Sequence, residues 1–81
     1  MSLEELQRKL EVLGLGEVEM LTRAQFDQAF GRRNASPDEQ KLAAAELGER
    51  KGCRVLFTGQ EAIYAIFTRR QRRGELRLGG A

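Results

Sequence analysis

Four arginines lie close together near the end of the sequence, at Arg69, Arg70, Arg72 and Arg73. Like charges at this spacing repel one another, so a polyanion or an acidic partner would lower their electrostatic energy. The guanidinium group is also suited to bidentate contacts with phosphate. The segment therefore predicts binding to a polyanion with an affinity that falls as salt is added.

Two other interpretations of this segment stay open. It is also consistent with a solvated basic stretch that aids solubility or pairs with acidic helices of the same chain. A surface that binds an acidic protein or a membrane is the remaining interpretation. A second basic pair, Arg32 and Arg33, lies in a predicted polar turn and adds to the first interpretation.

The charge of the chain is unevenly distributed. The 81 residues include 14 basic and 12 acidic side chains, a net charge of +2. Residues 1–49 carry six basic and ten acidic groups, which gives −4, and residues 50–81 carry eight and two, which gives +6. This division assigns any contact with a polyanion to the C-terminal part of the sequence.

The composition excludes several kinds of chemistry. The chain has no histidine and one cysteine, so it cannot build a zinc site of the Cys/His type, a Ser-His-Asp triad or a Cys-His pair by itself. One cysteine also excludes an internal disulfide. No constellation of catalytic side chains can be assembled, and we expect neither an enzyme nor a cofactor. Cys53 is expected to be a buried, unreactive core residue.

Length and hydropathy predict one small domain over residues 1–74 and a flexible C-terminal tail over residues 75–81. The longest apolar run is six residues, over 62–67, far below the ~20 that a membrane span needs. The sequence starts with acidic residues and lacks the basic and apolar pattern of a signal peptide. These features predict a cytoplasmic protein.

Three predicted helices begin with the same chemistry, a hydroxyl residue followed three positions later by Glu or Gln. The pairs are Ser2 with Glu5, Thr22 with Gln25, and Ser36 with Glu39. In such a capping box the hydroxyl accepts a hydrogen bond from the third backbone N–H and the longer side chain reaches back. Glycines predict the helix ends, at Gly14, near Gly31, and at Gly48 or Gly52.

Residues 53–70 have two interpretations. The runs 54–58 and 62–68 are rich in β-branched and aromatic residues, and Gly59-Gln60 between them predicts a tight hairpin that pairs Phe57 with Ala62 and Leu56 with Ile63. The alternative is a helix, because Ile63, Ile66 and Phe67 also share one helical face. The fold class is accordingly α+β, three short helices followed by a β-hairpin and mostly helical, or alternatively four helices with one short strand.

The order of three short helices and a hairpin resembles a winged helix-turn-helix domain over roughly residues 20–70. The resemblance is clearest from Leu42 to Gly52, a helix that ends in charged residues and glycine, and in the strand that follows. It implies that the helix from Pro37 is a recognition helix and that the turn at Gly59 is the tip of a wing. The sequence departs from the pattern at Asp38 and Glu39, two carboxylates where such a helix enters the major groove.

These observations predict a small DNA-binding regulatory protein of winged-helix type, acting in transcription regulation and forming a homodimer, that contacts phosphate through its basic C-terminal segment. The predicted nucleic-acid contacts are Arg32, Arg33, Gln40, Lys41, Lys51, Arg54, Arg69, Arg70, Arg72 and Arg73. The alternative is a protein–protein interaction module, such as a phage- or plasmid-type adaptor or inhibitor, which binds a host protein and no nucleic acid. The acidic N-terminal half favours this alternative because it would repel DNA.

Overall fold

The computed structural model describes residues 1–31 and 35–71. The described chain is a small α+β fold with three helices and one three-stranded antiparallel sheet. In chain order the elements are α1 (Leu3–Glu11), β1 (Val18–Leu21), α2 (Arg23–Phe30), α3 (Pro37–Arg50), β2 (Cys53–Phe57) and β3 (Ala65–Arg69). The predicted α+β class is confirmed, and the four-helix alternative is wrong. The predicted tail over residues 75–81 lies outside the described residues.

All three capping boxes are present. The hydroxyls of Ser2, Thr22 and Ser36 each accept from the backbone N–H three residues on, and each Glu or Gln side chain accepts from the N-cap backbone. The helix ends follow the glycines less closely. Helix α1 ends at Glu11, before Gly14, and α3 runs through Gly48 to Arg50.

Gly48 lies within α3, and its missing side chain lets the helix lie close to the sheet. A Cβ atom at this position would be 2.7 Å from Cγ2 of Val55 and 3.0 Å from the carbonyl oxygen of Cys53. The chain reverses after Lys51 instead, where Gly52 has a φ of 74°, a left-handed conformation that glycine adopts without steric cost.

The hairpin of β2 and β3 exists, but its predicted register is wrong. Phe57 pairs with Ala65 and Leu56 with Ile66, so residues 58–64 form a loop rather than a two-residue turn. Tertiary contacts hold this loop. The N–H of Tyr64 donates to the carbonyl of Leu21 at 2.7 Å, and the N–H of Arg23 donates to the carbonyl of Glu61 at 2.8 Å.

Strand β1 was not among the elements that the sequence predicts. Its four residues pair with β3, and the strand order is β1-β3-β2 with β3 in the centre. Because successive side chains of a strand point to opposite faces, the pairing defines two faces of the sheet. On one face, Leu21, Ala65 and Phe67 are fully buried and pack in the core with the helices.

We call the opposite side the outer sheet face. It carries alternate residues of all three strands, and they are Val18, Met20, Arg54, Leu56, Ile66 and Thr68. Several of these side chains are exposed and apolar. None of the described helices has the length and apolar character that crossing a membrane requires.

Candidate nucleic-acid interface

Arg69, the first arginine of the predicted cluster, is buried. It occupies the core-facing side of β3, opposite Cys53, and is 3% exposed. Its Nη1 atom donates to the carbonyl of Lys51 at 2.6 Å, and Nη2 donates to the carbonyl of Leu10. Arg69 is therefore unavailable to a phosphate, which corrects the prediction that it belongs to the interface.

The partners of Arg69 explain why a cation lies in the core without a described carboxylate beside it. Leu10 is near the C-terminal end of α1, and Lys51 is the C-cap of α3. The last carbonyl groups of a helix lack intrahelical partners and carry the negative end of the helix dipole. Arg69 thus joins two helix ends electrostatically, although its Nε atom has no hydrogen-bond partner among the described residues.

Arg54 and Arg70 are exposed and lie together. Both line a shallow groove of about 440 Å³ at the start of β2, together with Gly52, Gln71 and Glu49. The backbone N–H groups of Arg70 and Gln71 both donate to the carbonyl of Gly52, at 2.8 and 3.2 Å. These bonds fix the direction in which the chain leaves the sheet.

The sequence continues from this groove to Arg72 and Arg73, which lie outside the described residues. We call Arg54 and Arg70 the basic end. Of the sequence-predicted contacts, Arg54 and Arg70 are the two that the structure brings together in one exposed groove. Arg32 and Arg33 also lie outside the described residues.

Lys51 is close to the same region, but its charge is already paired. Its Nζ atom is 2.9 Å from Oε1 of Glu11, and its side chain is 28% exposed. A phosphate would therefore compete with Glu11 for this ammonium group. Lys51 is a weaker candidate for a phosphate contact than either exposed arginine.

The first turns of α3 carry little positive charge. Lys41 is exposed and lies over the ring of Phe57, with Nζ 5.7 Å from the ring centroid. Gln40 is half-buried. Asp38 and Glu39 are exposed beside them, and hydrogen bonds from Ser36 hold the pKa of Glu39 below its usual value. That carboxylate therefore stays ionised.

The exposed surface of α3 has a net negative charge. Its exposed charged residues are four carboxylates and two cations, a net charge of −2, at Asp38, Glu39, Glu46, Glu49, Lys41 and Arg50. A helix with this charge is repelled by the phosphates that flank a DNA groove. The cationic groove is instead at the opposite end of β2, because Lys41 packs on Phe57, the last residue of that strand, and Arg54 is its second residue.

Cys53 is buried, as the sequence predicts. Burial raises the pKa of its thiol, and the nearby charge of Arg69 offsets part of this shift. A raised pKa keeps the sulfur protonated and weakly nucleophilic at neutral pH. Within residues 1–31 and 35–71, no group of three His, Cys, Asp or Glu side chains is placed to hold a metal ion.

Sequence analysis also missed the apolar row on the outer sheet face. Met20, Ile66 and Leu56 lie side by side on the three strands. Met20 and Leu56 are 50% and 60% exposed. In β2 and β3 the apolar residues are consecutive, so the sequence does not distinguish the outward-facing ones, and the row forms only when β1 pairs with β3.

The chain matches no protein-family model, no curated protein and no solved structure. The candidate interface therefore rests on the geometry and charges of the described residues.

Proposed function

We propose that this protein is a small DNA-binding regulatory protein of winged-helix type that contacts phosphates through its basic end. The observation that carries the proposal is the joint placement of Arg54 and Arg70 in one exposed groove, from which the chain continues to two more arginines. Among the described residues that line this groove, one is acidic, Glu49. Such a surface attracts the DNA backbone without reading its bases.

The order of three helices and a hairpin supports the winged-helix part of the proposal. Within that frame, the mode of binding differs from the one that the resemblance implies. The first turns of α3 and the loop 58–64 contribute the carboxylates of Asp38, Glu39 and Glu61 against one cation, Lys41. We therefore assign the attraction to the basic end and not to α3.

Salt-dependent binding to a random DNA duplex tests the proposal. We expect the R54Q/R70Q variant to bind about tenfold more weakly at low salt. We also expect its plot of log affinity against log salt to be less steep by about 2, one unit for each lost phosphate contact. Fluorescence anisotropy at several salt concentrations measures both quantities.

The matched control is R8Q/K41Q, which removes the same net charge from the exposed surfaces of α1 and α3. We expect this control to keep the slope within about half a unit of the unmodified protein. Equal losses in the two variants would show that net charge alone governs binding. A larger loss in the control would assign the contact to α3.

A protein–protein interaction module is the second candidate, and the acidic surface of α3 favours it. Four carboxylates and the exposed Leu42 on one helix suit a basic or amphipathic protein partner better than DNA. The same titration separates the candidates, because the second one predicts that the unmodified protein does not bind the duplex even at low salt.

A further inference from the structure

Two exposed surfaces of the described chain lie largely outside the basic end. The first is the outer sheet face, which shares Arg54 with the basic end. The row of Met20, Ile66 and Leu56 forms its apolar centre. Arg54 lies two residues before Leu56 on the same strand and face. None of the six strand residues on this face is acidic, so the surface is apolar with a cationic border.

The second surface is a groove on the helical side of the molecule, which we call the helix groove. It has a volume of about 340 Å³ and is lined by the start of α1, the end of α2 and one side of α3. Apolar side chains such as Leu3, Phe30 and Leu42 contribute to its walls, and Leu42 is 61% exposed. Its described charged residues are Glu39, Glu46 and Arg50, a net charge of −1.

The two surfaces lie on different sides of the fold. Gly48 of α3 packs against Val55 and Phe67, which point to the inner face of the sheet. No strand residue lines the helix groove. One chain therefore cannot bring its own outer sheet face to its own helix groove, whereas two chains can.

We propose that copies of this protein associate head to tail, with the outer sheet face of one copy bound in the helix groove of the next. Leu56 enters the groove beside Leu42, and Arg54 lies against Glu39 and Glu46 of the other copy. Charge complementarity selects this pairing over the symmetric ones. Two sheet faces would bring Arg54 to a face whose strand residues include no carboxylate, and two helix grooves would each bring a described net charge of −1.

The size of the surfaces predicts the strength of the association. Three strands of about five residues form a face of about 14 by 17 Å, smaller than the ~800 Å² per partner of a standard stable interface. The association is therefore weak and depends on concentration. Because the two binding surfaces differ, a third copy can add to the second, and the assembly does not stop at two chains unless the rotation between copies closes a ring.

Two single substitutions remove one surface each. Leu42→Lys places a cation in the helix groove opposite Arg54, and Leu56→Glu places a carboxylate on the sheet face opposite Glu39 and Glu46. Both positions are mostly exposed, so both variants are expected to fold, which circular dichroism checks. Leu15→Lys and Leu15→Glu are matched controls, because Leu15 is 57% exposed and lies outside both surfaces.

Sedimentation velocity from about 10 µM to about 1 mM covers the weak affinities expected of small interfaces. We expect the unmodified protein and both controls to form dimers and larger species as concentration rises. Each variant alone is expected to stay monomeric. An equimolar mixture of the two variants is expected to form a one-to-one complex and nothing larger, since one intact groove and one intact sheet face remain.

Three results would overturn the proposal. They are a monomeric unmodified protein at the highest concentration, self-association of either variant at the level of the unmodified protein, and a mixture that stays monomeric although both variants are folded. None of these results depends on DNA binding, so the proposal and the function proposed above can fail separately.

Discussion

Replacing Arg69 with methionine is expected to lower the free energy of unfolding by about 2–4 kcal/mol, because the carbonyl groups of Leu10 and Lys51 lose their charged hydrogen-bond donor. Methionine keeps much of the apolar stem, so the loss reports mainly on the hydrogen bonds and the charge. Replacing the neighbouring, exposed Arg70 with glutamine is expected to change the stability by less than about 0.5 kcal/mol. Urea denaturation followed by circular dichroism measures both.

Arg69→Lys is the informative control for this prediction. Lysine keeps the positive charge but lacks the planar fork that lets one guanidinium donate to two separate carbonyls. We expect it to be destabilised as well, by less than the methionine variant. Equal stability of the Arg69→Met and Arg70→Gln variants would contradict the structural role of Arg69.

The structural role of Arg69 matters for any mutagenesis of the arginine cluster. The sequence alone suggests that Arg69, Arg70, Arg72 and Arg73 should be neutralised together. In such a variant, loss of the fold would be mistaken for loss of a phosphate contact. Binding experiments should therefore keep Arg69.

The second large effect is expected at Phe26, where substitution by alanine should cost about 3–5 kcal/mol. The ring is 1% exposed, and its centroid lies 5.0 Å from that of Phe30, 5.1 Å from Tyr64 and 5.7 Å from Phe57. A domain of this size is stabilised by only about 4–12 kcal/mol in total. Thermal unfolding should therefore show a much lower midpoint or no cooperative transition.

Phe57 provides the matched comparison for Phe26. It belongs to the same aromatic cluster but is half-buried at the end of β2, so its replacement by alanine removes less buried surface. We expect a smaller loss than at Phe26. If the two alanine variants were equally stable, Phe26 would not be the centre of the cluster.

The sequence predicts the parts of this fold that depend on neighbouring residues. Each capping box joins residues three positions apart, so its chemistry can be recognised in a short window. All three helix starts were located in this way at Ser2, Thr22 and Ser36.

The parts that were wrong depend on residues far apart in the chain. Strand β1 has only four residues, and its hydrogen-bonding partner is β3, more than forty residues later. The hairpin register depends on Tyr64, whose N–H is held by Leu21 and whose ring lies against Phe26. A local turn signal at Gly59-Gln60 does not contain this information, although Gly59 does adopt a positive φ of 79°.

The candidate site also combines a feature that the sequence shows with one that depends on how the strands pair. The basic character of the C-terminal segment is evident from composition, but the assignment of individual arginines depends on strand alternation. The pairing of Cys53 with Arg69 puts that guanidinium in the core, and Arg70 is the next residue along and is exposed. The predicted hairpin register differs from the observed one by three residues, and an odd shift reverses which side chains of a strand point inward. The sequence therefore could not show that Arg69 is buried and Arg70 exposed.

A DNA titration followed by nuclear magnetic resonance tests the central claim most directly. With a random duplex at low salt, we predict that the amide signals that shift most are those of residues 52–54 and 70–71, at the groove lined by Arg54 and Arg70. The signals of Gln40 and Lys41 should shift little. The largest shifts at Gln40, Lys41 and the loop 58–64 would contradict the assignment of phosphate contact to the basic end.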